Sequence, residues 1–189
     1  MKLLALRCPN CNHGLKPGND DLLLVCPNCQ TTVAIAIDGP KRVKVRFALP
    51  PKMEADVQEW APFWVFEGLV NVTERETQGG WRTKDKDSQQ FWTSPRQFYV
   101  PAWDLSVHNA QDVGSQLILN QPEFISIDQP KGINLIPAVV KPNDAKRILE
   151  FIILAIEARR KDWLKKFAFE LEVGKPQLWA LPKSWLRLG

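Results

Sequence analysis

Beyond Cys29 this chain has no cysteine, and all four of its thiols fall between Cys8 and Cys29. The remaining 160 residues therefore have no disulfide available and must fold on apolar burial. No apolar run reaches the eighteen or so residues that span a bilayer, so no membrane insertion is expected. Histidine is scarce, with only His13 and His108, and Tyr99 is the single tyrosine. There is no GxSxG, P-loop, GxGxxG or HExxH pattern, and His108 has no recognisable partner motif. Excess charge is also lacking. The net value is +4, and residues 1–37 set Lys2, Arg7 and Lys16 against Asp20 and Asp21. The strongly basic surface typical of nucleic-acid binding is absent from that segment.

Apolar residues make up 44% of the chain and charged residues 24%, which is enough for a packed core in one or two domains. The opening "MKLLALRC" reads as a strand rather than a leader, because a cysteine pair follows at once with no cleavage region. These features lead us to expect a cytoplasmic protein of bacterial type.

Cys8, Cys11, Cys26 and Cys29 read C-x2-C-x14-C-x2-C, each pair written CPNC. Two sulfurs three residues apart fit one tight turn and point to a common centre. A second such turn completes a tetrahedron, at metal–sulfur distances of about 2.3 Å for zinc. The proline and asparagine inside each pair suit that turn, and knuckle amides can donate to the sulfurs. Residues 22–25 lead into the second pair as a short strand, and residues 31–37 lead out as another. Pro17, Gly18, Asn19 and Asp20 form a turn between the two pairs.

In this layout residues 1–37 resemble the zinc-ribbon family. The resemblance implies that all four cysteines are ligands of one structural Zn2+. The second pair departs from the family's common CPxCG form, since Gln30 stands where a glycine often sits, and Asn12 and His13 precede Gly14 in the first. Two disulfides, or iron in a rubredoxin-like electron carrier, would use the same residues. A thioredoxin-like pair would need a strand–helix junction that is absent. Four protein ligands leave no open position for a catalytic water.

The second unit is expected over residues 38–189, opening with Asp38-Gly39-Pro40 as a breaker. Val43, Val45 and Phe47 then alternate with Arg42, Lys44 and Arg46, a strand whose basic face is either a solvated edge or a contact for nucleic acid or an acidic partner. Residues 64–75 predict a central strand, followed by a polar loop through Gly79-Gly80 and "TKDKDSQQ". Further strands are expected at 97–100 and 123–128, with a weakly helical piece at 112–120. The clearest helix runs from about 143 to 162, apolar all round at 151–156. Residues 167–173 alternate with period two, and "VGKPQ" predicts a hairpin into 177–181. The fold class is therefore α+β: an N-terminal zinc ribbon, then a mostly antiparallel sheet with one principal helix.

All eight tryptophans lie in this second unit. Most are expected to fill the core. Trp60, Trp64 and Trp103, in the related phrases "WAPFW" and "YVPAW", are the candidates for an aromatic interface. Glu150 and Glu157 are expected on a solvated, ion-paired helix face. The leading functional expectation is a non-catalytic zinc-binding protein that serves as a protein-interaction or adaptor module, with a protein partner or self-association. Nucleic-acid association in transcription or translation is the alternative, carried by residues 41–46 and the basic run 159–166. An enzyme or an iron electron carrier is the third class.

Overall fold

The structure is a computed structural model that describes residues 6–51, 53, 57–78, 82–160 and 162–186, with the backbone alone for 82–85. The first five residues of the expected N-terminal strand, Gly79 and Gly80, and Trp81 lie outside the described residues.

Short apolar segments around the cysteine pairs form one small antiparallel sheet: β1 (Leu23–Val25), β2 (Thr32–Ala36) and β3 (Gly39–Arg42). Asp38-Gly39-Pro40 is a hairpin turn rather than a break. Ala36 pairs with Gly39, whose φ of +119° only glycine adopts without strain. The N-terminal sheet thus takes in a third strand reaching Arg42, beyond the expected end at residue 37.

Residues 43–45 belong to neither sheet and lead into β4 (Arg46–Leu49), where the expected strand begins later than its alternation implied. The long central strand is β5 (Trp60–Thr77). Next come α1 (Arg82–Thr93), β6 (Arg96–Pro101), α2 (Val107–Asn120), β7 (Ile125–Ile127), α3 (Pro142–Ala158), β8 (Leu164–Val173) and β9 (Gln177–Pro182). The strand order is β6-β5-β9-β4-β7, with β8 also on β5. Among the described strand pairings only β4–β9 is parallel. The class is α+β and mostly antiparallel, as expected; among the described residues α3 is the principal helix expected, α2 covers the piece expected to be weakly helical, and α1 was not expected.

The first half of β5 is buried on both faces, which its alternation explains. Trp64, Phe66 and Val70 face Leu149, Ile152, Ile153 and Ile156 of α3. Ala61, Phe63 and Val65 face the opposite way, toward Trp179, Leu181 and the α2 residues Val113 and Leu117. Helix α2 covers the β6 edge, and so protects it from pairing with another chain. Its first turn is capped by Ser106, which accepts from the Asn109 amide.

The expected hairpin between β8 and β9 does not form. Gly68 pairs with Val173 and Val65 with Gln177, so the two strands lie end to end along one side of β5. The Gly174 amide donates to Glu67 O at 2.9 Å and holds the link against that strand. A two-strand-plus-turn pattern reads alike in both arrangements; the length of β5 decides between them. At the junction a Cβ on Gly68 would come within 2.0 Å of Glu172 O. Gly68→Ala is therefore expected to destabilise by at least about 1–3 kcal/mol, as overpacking does. Denaturant unfolding checks this.

Tyr99 is fully buried, and burial pushes its phenol well above the usual value near 10. The folded state holds that proton more tightly than the unfolded state, so Tyr99 contributes a loss of stability as pH rises past about 10. As the single tyrosine, it is expected to show no tyrosinate absorbance until the protein unfolds in alkali. Ionisation near pH 10 in folded protein would contradict its burial.

Candidate metal centre

Each cysteine pair builds the same turn. The Asn12 amide donates to Cys8 O and the Gln30 amide to Cys26 O, both at 2.9 Å. The Cys8 amide donates to His13 O and the Cys26 amide to Thr31 O, again at 2.9 Å. Asn12 and Gln30 occupy left-handed backbone positions, with φ of 59° and 60°. Gln30 thus adopts the conformation for which glycine is usual, at a cost of about 1–2 kcal/mol. The departure from CPxCG leaves the turn intact.

The two turns bring the sulfurs together. Cys8 Sγ lies 3.6 Å from Cys29 Sγ, and Cys11 Sγ lies 3.6 Å from Cys26 Sγ. All four lie within 4.8 Å of one another. Those separations are far too long for a disulfide, at about 2.05 Å. They are close to the roughly 3.8 Å edge of a tetrahedron with metal–sulfur bonds near 2.3 Å. The residues fit one four-coordinate metal ion.

Cys8 and Cys26 are buried against Leu15 and Val33, whereas Cys11 and Cys29 are half-buried. The Thr31 hydroxyl, with help from Asn10, brings the Cys29 thiol down to about 5. The Asn28 side chain lowers Cys11. Burial pushes Cys26 up to about 11. Hydrogen bonding thus favours the thiolate form at Cys11 and Cys29, whereas burial opposes it at Cys26. The Asn10 amide, 3.4 Å from Cys8 Sγ, supplies the kind of donor that orients a ligand sulfur. His13 is exposed and takes part through its carbonyl, so it does not compete as a ligand.

This unit is joined to the larger sheet by backbone bonds. The Leu22 and Leu23 amides donate to Ala138 O at 2.7 and 3.2 Å, and the Ala138 amide returns to Leu23 O at 3.2 Å. The Leu23 side chain is part of the main core beneath α3.

The other sequence candidates fare differently. Arg42 and Arg46 are exposed, as is Lys44, and none is ion-paired among the described residues. Arg46 donates to Ser126 Oγ and lies 4.2 Å over the Trp179 ring. Of the basic run 159–166, Arg159 pairs with Asp112, Arg160 with Glu157 and Lys166 with Glu74, Lys165 is exposed, and Lys161 lies outside the described residues. The expected aromatic surface of Trp60, Trp64 and Trp103 is corrected, because all three are buried. Trp60 packs edge-on against Phe47 and Trp103 against Phe63, while Trp64 Nε1 donates to Val140 O at 2.8 Å.

Sequence reasoning missed a second polar centre. Glu157, expected on a solvated face with Glu150, is fully buried. Its Oε2 accepts from Arg75 Nε at 3.0 Å. Its Oε1 accepts from Ser88 Oγ at 3.0 Å, Trp92 Nε1 at 2.6 Å and Arg160 Nε at 2.7 Å. Arg75 also pairs with Asp162, whose side chain is buried. Among the described residues, two carboxylates and two guanidiniums thus meet between α1, β5, the end of α3 and the turn before β8. The available signal was spacing, since Glu157 lies four and eight residues after Ile153 and Leu149 on the buried stripe.

Fold and site together define a chain with one four-cysteine metal position fastened to an α+β body. No helix among the described residues is long and apolar enough to cross a membrane. No family model, curated protein or solved structure matches the chain.

Proposed function

We propose that this is a non-catalytic zinc-binding protein that acts as a protein-interaction or adaptor module. The observation that carries the reading is the convergence of four thiols on one point. A set of four thiolates suits zinc and, when filled, has no position left for substrate or water. The metal is then a structural element whose binding free energy folds the N-terminal unit. Thiolates of this kind persist in a reducing compartment, which favours the cytoplasm.

The test is affinity capture from native lysate together with sizing of the purified chain. A specific partner, or a concentration-dependent dimer, is expected with wild type. A monomer that retains nothing in any lysate would overturn the reading. Nucleic-acid association is the second reading, favoured by Arg42, Lys44 and Arg46, which have no ion-pair partner among the described residues. It requires binding to DNA or RNA that weakens steeply with salt. An iron electron carrier would be coloured.

A further inference from the structure

Residues 43–45 cross from the small sheet to the large one, and a cleft opens beside the crossing. At its body end the cleft has a volume of about 820 Å³ and is bordered by Lys44, Arg46, Ser126, Asp128 and Gln177. It continues past Arg42 and Thr32 to the second cysteine turn, where a further part of about 530 Å³ opens. Val43, Lys44 and Gln129 line both parts, so the two form one groove. Gln129 Nε2 donates to Gln30 O at 2.5 Å and ties its walls together.

Three features of the groove point to a ligand. Arg42, Lys44 and Arg46 line it without an ion-pair partner among the described residues, against the single carboxylate of Asp128. Thr32 is 3% exposed, yet its Oγ1 has no hydrogen-bond partner, and the same holds for the buried Gln30 Oε1. Both residues line the ribbon end. Buried polar atoms left unsatisfied in this way are costly unless something completes them. The floor is apolar, formed by Val43, Val45 and Leu178.

We propose that this groove docks an extended acidic peptide segment of a partner protein. Acidic side chains of that segment pair with Arg42, Lys44 and Arg46, while its apolar side chains rest on the floor of Val43, Val45 and Leu178. Nucleic acid fits less well. Single strands are held by base stacking on exposed rings. The ring that lines the groove, Trp64, is buried, and the neighbouring Trp179 lies beneath Arg46. Three cations of the basic run that would have extended a phosphate track, Arg159, Arg160 and Lys166, are held by Asp112, Glu157 and Glu74.

The proposal rests on the adaptor reading, and two measurements keep their failures apart. The first is fluorescence polarisation at low salt, with a short fluorescein-labelled Asp/Glu peptide and an oligothymidylate of equal length. The proteins are wild type, Arg42→Glu/Lys44→Glu, and Lys146→Glu/Arg147→Glu on the exposed face of α3. Metal content serves as the check that each variant is folded. Saturable peptide binding is expected, weakened about tenfold or more by the groove pair and unchanged by the α3 pair. No saturable binding, equal weakening by both pairs, or tighter binding of the oligothymidylate through the same residues would overturn the proposal. The second is lysate capture with the groove variant. Partners retained undiminished by Arg42→Glu/Lys44→Glu would sink the groove and leave the adaptor reading standing, whereas no partner with wild type sinks the adaptor reading itself.

Discussion

Cys26→Ser is expected to abolish metal binding and unfold the N-terminal unit while the body keeps most of its structure. Cys26 is fully buried, and a serine there supplies no thiolate. The unit has little else to fold on, since its own cluster consists of Leu15, Val33 and the cysteines with a few partly buried neighbours. In small zinc peptides the metal supplies about 10–16 kcal/mol of apparent folding free energy. The loss should also reach the body, because Leu23 leaves the main core and Ala138 loses its backbone partners. That contribution resembles truncation of a buried leucine, about 2–5 kcal/mol. Hydrogen exchange reads both effects: amides of 22–25 and 32–36 lose protection, and those around 138–140 lose part of it. Full protection in the variant would mean that the unit folds without metal.

Glu157→Ala is expected to cost about 3–5 kcal/mol, the range for breaking a buried ion pair by removing one partner. The substitution strands the Ser88 hydroxyl, the Trp92 indole and part of the Arg75 guanidinium, none of which reaches water easily. The double variant Arg75→Ala/Glu157→Ala should lose less than the sum of its parts, because the two residues act on each other. Urea unfolding of the four proteins of that cycle gives the coupling. A loss below about 1 kcal/mol for Glu157→Ala would show that the cluster is better hydrated than its burial indicates.

What could be read from the residues was what depends on near neighbours. The paired cysteines, the body of β5, the alternation of β8 and the helix α3 are all local patterns, and each is present. Three of the misses share one cause, contact between segments distant in sequence. "TKDKDSQQ" has too few apolar residues to announce a helix. It lies in α1, where Ser88 and Trp92, one turn apart, reach Glu157 on a different element. The collinear β8 and β9 look like a hairpin until β5 is seen to be long enough for both. Trp60 and Trp64 lie in the core because the first half of β5 is covered on both faces. In the metal centre, spacing pointed to the ligand set, but the lowering of the Cys29 thiol by Thr31 required the folded turn.

Elemental analysis of the chain purified under reducing conditions, without added metal, tests the central claim most directly. One zinc per chain is expected, with all four thiols unreactive until a chelator or acid removes it, and a lower melting temperature afterwards. Stoichiometric iron, or a metal-free protein with four reactive thiols and an unchanged melting temperature, would contradict a structural zinc centre.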